Sequence, residues 1–304
     1  MLNDARTLYR RFIFGATGLT VAAVLLRILA LTLFFDRTVG YIDANVFSTL
    51  LYIAMLLLLV GCAGYAACAL RLEKKALIAV APDVAASSPC IRYASLACAL
   101  AFVGAMVAEL FSIGFVGMFP LPRYIAALVA ALYFALPKGK GSIVTGLGVP
   151  VYGTAALAYE YFDGTVTLNS PIKLMQQAAL LSAMLLVLVE LCHLNNTRRS
   201  IRYTVCAVLS MFCGLTNGLS LIAAALVGGI VKPEYLMHAL PATTIGLYAA
   251  ARLFESHEIE LPEPKQEDEE ESSPEAADTE QAPNTEQTPD NQDAPQTTSQ
   301  EEES

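Results

Sequence analysis

The run from Phe12 to Phe35 constrains this chain more than any other feature. It holds about two dozen almost wholly apolar residues with a single arginine, Arg27, set inside them. At roughly 1.5 Å per residue a helix of that length measures about 36 Å, enough to cross a hydrocarbon core of about 30 Å. The run therefore reads as a membrane span. Arg10 and Arg11 precede it and Asp36 follows, so the positive end is expected to stay in the cytoplasm. Two arginines ahead of an apolar run also have the outline of a twin-arginine export signal. Such signals carry a short apolar region and a small-residue cleavage site, whereas this run is long and ends Leu33-Phe34-Phe35-Asp36. We expect an uncleaved first span.

Similar runs follow at Ala44 to Leu70, Tyr93 to Met118, Pro122 to Leu136, Ile172 to Leu194 and Tyr203 to Val231. A shorter one, interrupted by Pro241, ends at Arg252. Ser142 to Phe162 is ambiguous, because Gly146, Gly148, Pro150 and Gly153 break its apolar pattern. Charge decides. If this stretch crosses, 14 of the 19 Lys+Arg fall inside, Arg37, Arg123, Lys173 and Lys232 fall outside, and Arg27 lies in the membrane. That asymmetry favours about eight transmembrane helices with both termini in the cytoplasm of a cell-membrane protein. Asn169-Ser170-Pro171 supports it locally, offering a capping side chain followed by proline at the start of the sixth span.

The net charge of −9 conceals two electrostatic objects. Residues 1–254 carry 18 Lys+Arg against 10 Asp+Glu, and residues 255–304 carry Lys265 against 18 acids. The first part reads as the multi-span helical domain. The second, rich in Glu, Gln, Pro, Ser and Thr, has almost nothing apolar to bury and reads as an acidic disordered cytoplasmic tail. Its plain role is a solvated terminus. The sharper role is contact with a basic protein partner or with the chain's own basic loops.

Chemistry-bearing motifs are scarce. Cys62, Cys68, Cys98, Cys192, Cys206 and Cys213 lie in apolar runs, Cys90 falls in an expected cytoplasmic loop, and no CxxC occurs. They read as small hydrophobes rather than metal ligands, so neither a metal nor a cofactor is expected. Lys138-Gly139-Lys140-Gly141-Ser142 lacks the upstream glycine of a phosphate-binding loop, and neither HExxH nor GxSxG is present. We expect no catalytic residues and no nucleic-acid partner.

Arg27 and Glu109 are the only full charges deep inside the runs, roughly 12 Å and 14 Å from their outer ends at 1.5 Å per residue. A charge near mid-bilayer costs on the order of 3 kcal/mol on insertion scales, so each needs a partner or water. A buried ion pair joining spans one and three is the structural reading. A polar cavity is the functional one, Glu109 taking a cation or proton and Arg27 an anionic group. Glu190 and His193 are expected near the inner surface, screened by Arg198 and Arg199; Glu160, Gln176 and Gln177 are expected near the outer one.

Cys206, Ser210, Gly214 and Gly218 recur every fourth residue and put four small residues on one helix face. Close helix packing is one explanation; a pathway lined with Asn217 is the other. The interrupted fifth span likewise reads either as a proline kink or as a broken helix whose free backbone groups bind an ion. Taken together, these features describe an all-α integral membrane protein in a lipid bilayer. The leading expectation is a non-enzymatic transporter or transport-associated subunit for a small solute or ion. The alternative is a membrane scaffold or sensor that recruits a partner through its tail.

Overall fold

A computed structural model describes residues 2–36, 41–42, 45–74, 88–113, 121–139, 142–162, 170–195, 201–228 and 233–255. The acidic tail and the Arg198-Arg199 pair lie outside them. The described residues form nine helices: α1 Leu2–Leu33, α2 Val46–Lys74, α3 Pro89–Ile113, α4 Leu121–Ala135, α5 Ser142–Gly146, α6 Gly148–Phe162, α7 Pro171–Leu194, α8 Ile201–Gly228 and α9 Pro233–Glu255. One two-residue antiparallel ladder pairs β1 Phe35–Asp36 with β2 Tyr41–Ile42 after α1.

Short polar motifs set the helix starts. Before α2 the Asn45 side chain accepts the Ser48 N–H at 2.8 Å while the Ser48 hydroxyl accepts the Asn45 N–H at 3.0 Å, a reciprocal N-cap. Ser88 precedes Pro89 at the first position of α3, and Ser170 precedes Pro171 in the same way on α7. Ser170 forms no side-chain capping bond, so the proline rather than the serine side chain marks that start. The Ser88-Pro89 signal moves the third helix earlier than hydropathy suggests. Cys90 and Arg92 belong to its first turn, not to a loop.

By length and composition six helical stretches can cross a membrane: Tyr9–Leu33, Val46–Tyr65, Pro89–Phe111, Ser142–Phe162, Pro171–Leu194 and Tyr203–Val227. The apolar α4 is shorter. The outside of the bundle is greasy: Val46, Phe47, Leu56, Leu57 and Val60 of α2, Phe111 and Leu226 are all exposed, while Arg27, Glu109, Asn217 and Glu190 are buried. This inversion of the soluble pattern is what a hydrocarbon solvent imposes. The chain is an all-α polytopic membrane protein.

The helix α8 is the most buried of the six and sits at the centre, with α9, α1, α7 and α2 against it. The α3 helix packs on α9 and α4, α4 on α6, and α6 on α7. Lipid tails are as apolar as leucine, so helix contact in a bilayer depends on close packing, and alanine dominates the contacts here: Ala16, Ala23, Ala126, Ala127, Ala130 and Ala131 are buried in the core.

The small-residue face of α8 lies against α9. A Cβ on Gly214 would stand 2.5 Å from the Ala242 carbonyl oxygen, and one on Gly218 would collide with the Thr243 side chain. Gly246 of α9 faces back, its missing Cβ lying 3.2 Å from Gly214 Cα. The fifth run divides between Gly146 and Gly148, yet Leu147 N–H donates to Ile143 O and Val151 N–H to Leu147 O, both at 3.2 Å. The α-helical ladder therefore runs through the break and leaves those carbonyls engaged. A Cβ on Gly148 would meet the Ala130 backbone nitrogen at 2.7 Å, so this glycine permits close approach of α4.

Candidate functional site

Among the described residues, buried charge gathers at three centres, with Lys173 buried besides. The first surrounds Arg27. Its Nε donates to Ser220 Oγ at 3.0 Å, and its terminal nitrogen donates to Asn217 Oδ1 and to the Pro171 carbonyl, each at 3.4 Å. Asn217 Nδ2 donates in turn to Gln176 Oε1 at 3.2 Å. Arg27 is 5% exposed, Gln176 4% and Asn217 fully buried. Arg27 and Asn217 thus share one polar centre between α1, α7 and α8. Among the described residues, no carboxylate stands among the partners of Arg27.

The second group corrects the expected Arg27–Glu109 pair. Glu109 forms its ion pair with Arg123, the third residue of α4, and Arg123 lies over the Tyr159 ring at 4.4 Å. Both members are buried. The helix rise fixes the depth of a residue but not its neighbours. Here α1 packs on α8 and α2, whereas α3 packs on α4 and α9, so each charge finds a different partner at a similar level. Arg123, read as an outer-loop cation, is a buried one. Lys173, read the same way, is also buried and donates to the Glu160 carbonyl at 3.2 Å.

The third group was not legible as a group. Glu190 is fully buried rather than solvated at the inner surface. Its Oε2 accepts from Lys138 Nζ at 2.8 Å and Tyr133 Oη at 2.9 Å. Its Oε1 accepts from Tyr248 Oη at 2.7 Å and Tyr203 Oη at 3.2 Å, and stands 3.8 Å from Arg252 Nε. Arg252 donates to Tyr248 Oη at 2.9 Å, and Lys138 also contacts that hydroxyl. Five donors from α4, its following connector, α8 and α9 enclose one carboxylate of α7. His193 packs edge-on to Tyr203, 5.7 Å between ring centres. Hydropathy missed this cluster because its cations end apolar runs, where solvation is the usual explanation. The available signal was three tyrosines, Tyr133, Tyr203 and Tyr248, each near the expected inner end of a different run.

Beside this cluster lies a cavity of about 260 Å³ lined by α3, the end of α4 and α9. Arg92, Ser95, Lys138 and Arg252 supply its polar wall. No protein-family model, curated protein or solved structure matches this chain. Chemistry here rests on its own side chains. Glu190 is locked by charge-assisted hydrogen bonds, Arg123 is neutralised by Glu109, and Arg27 keeps a positive charge among neutral acceptors.

Proposed function

We propose that this protein is a non-enzymatic transporter, or a subunit of one, for a small anionic solute. Arg27 carries the reading. The buried cations Arg123, Lys138 and Arg252 each face a carboxylate, and the buried Lys173 in the first turn of α7 donates to a backbone carbonyl; Arg27, far from either end of its run, faces among the described residues a hydroxyl, an amide oxygen and a backbone carbonyl. An unneutralised charge inside a membrane is costly and marks substrate pathways more often than packing. An anion visiting the Asn217, Ser220 and Gln176 centre would supply a counter-charge that the described residues do not. The proposed arrangement has eight crossings, both termini in the cytoplasm, and residence in the cell membrane, as the loop charges favour.

Flux through proteoliposomes tests it, with chloride, formate and inorganic phosphate as probes. The native chain is expected to pass at least one of them, and Arg27→Gln, still folded by its far-ultraviolet spectrum, is expected to lose that flux. Flux of none of the three, or equal flux through the variant, overturns the reading. Water access has a separate check at Ser220→Cys in a chain whose seven native cysteines are replaced. Rapid modification by a charged, membrane-impermeant thiol reagent is the expected result.

A further inference from the structure

Arg92, Lys138 and Arg252 are far apart in sequence and sit at different helix ends: the first turn of α3, just past the C-terminus of α4, and the last turn of α9. Because α3 packs on both α4 and α9, the three cations converge on the cavity of about 260 Å³. This is the end of the bundle that the charge pattern assigns to the cytoplasm. Tyr9 near the start of α1 donates to the Leu253 carbonyl of α9 here, and Arg27 lies 18 residues further along α1, about 27 Å away. The cavity is therefore separate from the Arg27 centre and stands whatever Arg27 binds.

Lys138 and Arg252 are only 6% and 3% exposed, whereas Arg92 is exposed at the mouth. Glu190 contacts the two inner cations from outside the cavity wall and spends both oxygens on them and on three tyrosine hydroxyls. Among the described residues the cavity is lined by three cations and no carboxylate. Glu255 at the same end does not line it, and its Oε1 accepts the Ser88 N–H at 2.8 Å. The Ser95 hydroxyl already donates to the Phe134 carbonyl at 2.6 Å. Leu96 and Phe134 add an apolar wall.

We propose that this cavity binds a phosphate monoester group, with Arg92 closing on it from the mouth and Lys138 and Arg252 holding it from within. The three lining cations attract an anionic group, guanidinium forks match phosphate oxygens, and the apolar wall receives the esterified part. The group has two sources, a soluble phosphate compound or a lipid headgroup.

The full chain in detergent is titrated calorimetrically with inorganic phosphate, then reconstituted in phosphatidylcholine discs with and without phosphatidic acid. Saturable phosphate binding in detergent supports a soluble source, and specific retention of phosphatidic acid supports a headgroup. In either case Arg92→Gln is expected to weaken binding about tenfold or more, since it removes one charge-assisted contact without touching Glu190. Arg10→Gln, an exposed arginine of α1, is expected to bind as the native chain does. Should Arg92→Gln fold poorly, the native chain alone decides: phosphate is expected to raise its unfolding midpoint above that in chloride of equal ionic strength. Absence of both binding modes, equal binding by Arg92→Gln, or no such rise overturns the proposal.

Discussion

Glu190 is the residue whose replacement the bundle is expected to tolerate least. Glu190→Gln leaves Lys138 and Arg252 buried without their counter-charge, and breaking a buried pair from one side typically costs about 3–5 kcal/mol. Thermal unfolding in detergent should show a large fall in midpoint. Tyr203→Phe removes one of several donors to the same carboxylate and should cost less, about 1–2 kcal/mol. Lys138 lies in the connector after α4, and burial pushes its ammonium down to about 8 even though Glu190 opposes the shift. Facing it are Glu190 of α7, Tyr248 and Arg252 of α9, Tyr133 and Phe134 of α4, and Cys98 of α3. Between about 8 and 10.5 the unfolded chain holds the Lys138 proton and the folded chain does not. Its contribution to stability therefore rises with pH across that window, while phosphate affinity at the cavity should fall as pH passes about 8. Unfolding midpoints and calorimetric titrations across pH 7 to 10 check both signs. At this scale the sequence marked Arg27, Glu109 and Asn217 correctly as polar groups inside apolar runs. It could not name their partners, because 3.6-residue geometry predicts depth and face but not which helix lies opposite.

Between elements, the α8–α9 contact depends on the absence of side chains. Gly214→Ala places a methyl 2.5 Å from a backbone oxygen that cannot rotate away, so the helices must separate, at about 1–3 kcal/mol. Gly18→Ala on α1 meets nothing within 4 Å and is expected to be neutral or stabilising by up to about 1 kcal/mol. Comparing the two by thermal unfolding separates close packing from a general intolerance of added bulk. The four-residue spacing of Cys206, Ser210, Gly214 and Gly218 exposed this face in advance. The glycines of α5 and α6 were harder to read, since a glycine that admits a neighbouring helix and one that breaks its own look alike in sequence. The backbone bonds across Leu147 and the approach of Ala130 to Gly148 favour the first role here.

For the whole molecule, topology and tail give the remaining tests. Asn195-Asn196-Thr197 forms a glycosylation sequon that eight crossings keep in the cytoplasm, so no glycan is expected at Asn195 in a microsomal insertion assay. Glycan attachment there would refute the eight-span count. Cutting the chain after Ser256 removes every acidic residue beyond α9 and should leave a transporter folded and active. Loss of a captured basic partner with flux unchanged would favour the scaffold reading of the tail instead.

The membrane class, the helical stretches and the charges set mid-run, Arg27 and Glu109, followed from the sequence alone, because burying a peptide backbone in hydrocarbon demands long apolar helices and makes a charge inside one conspicuous, whereas Glu190, Arg123 and Lys173 near run ends did not stand out. The tertiary structure decided the pairings: Glu109 with Arg123, Glu190 with Lys138 and Arg252, and Arg27 with Ser220, Asn217 and the Pro171 carbonyl. Those outcomes depend on lateral contacts between helices, and a bilayer that treats every apolar helix face alike writes almost no record of such contacts into hydropathy.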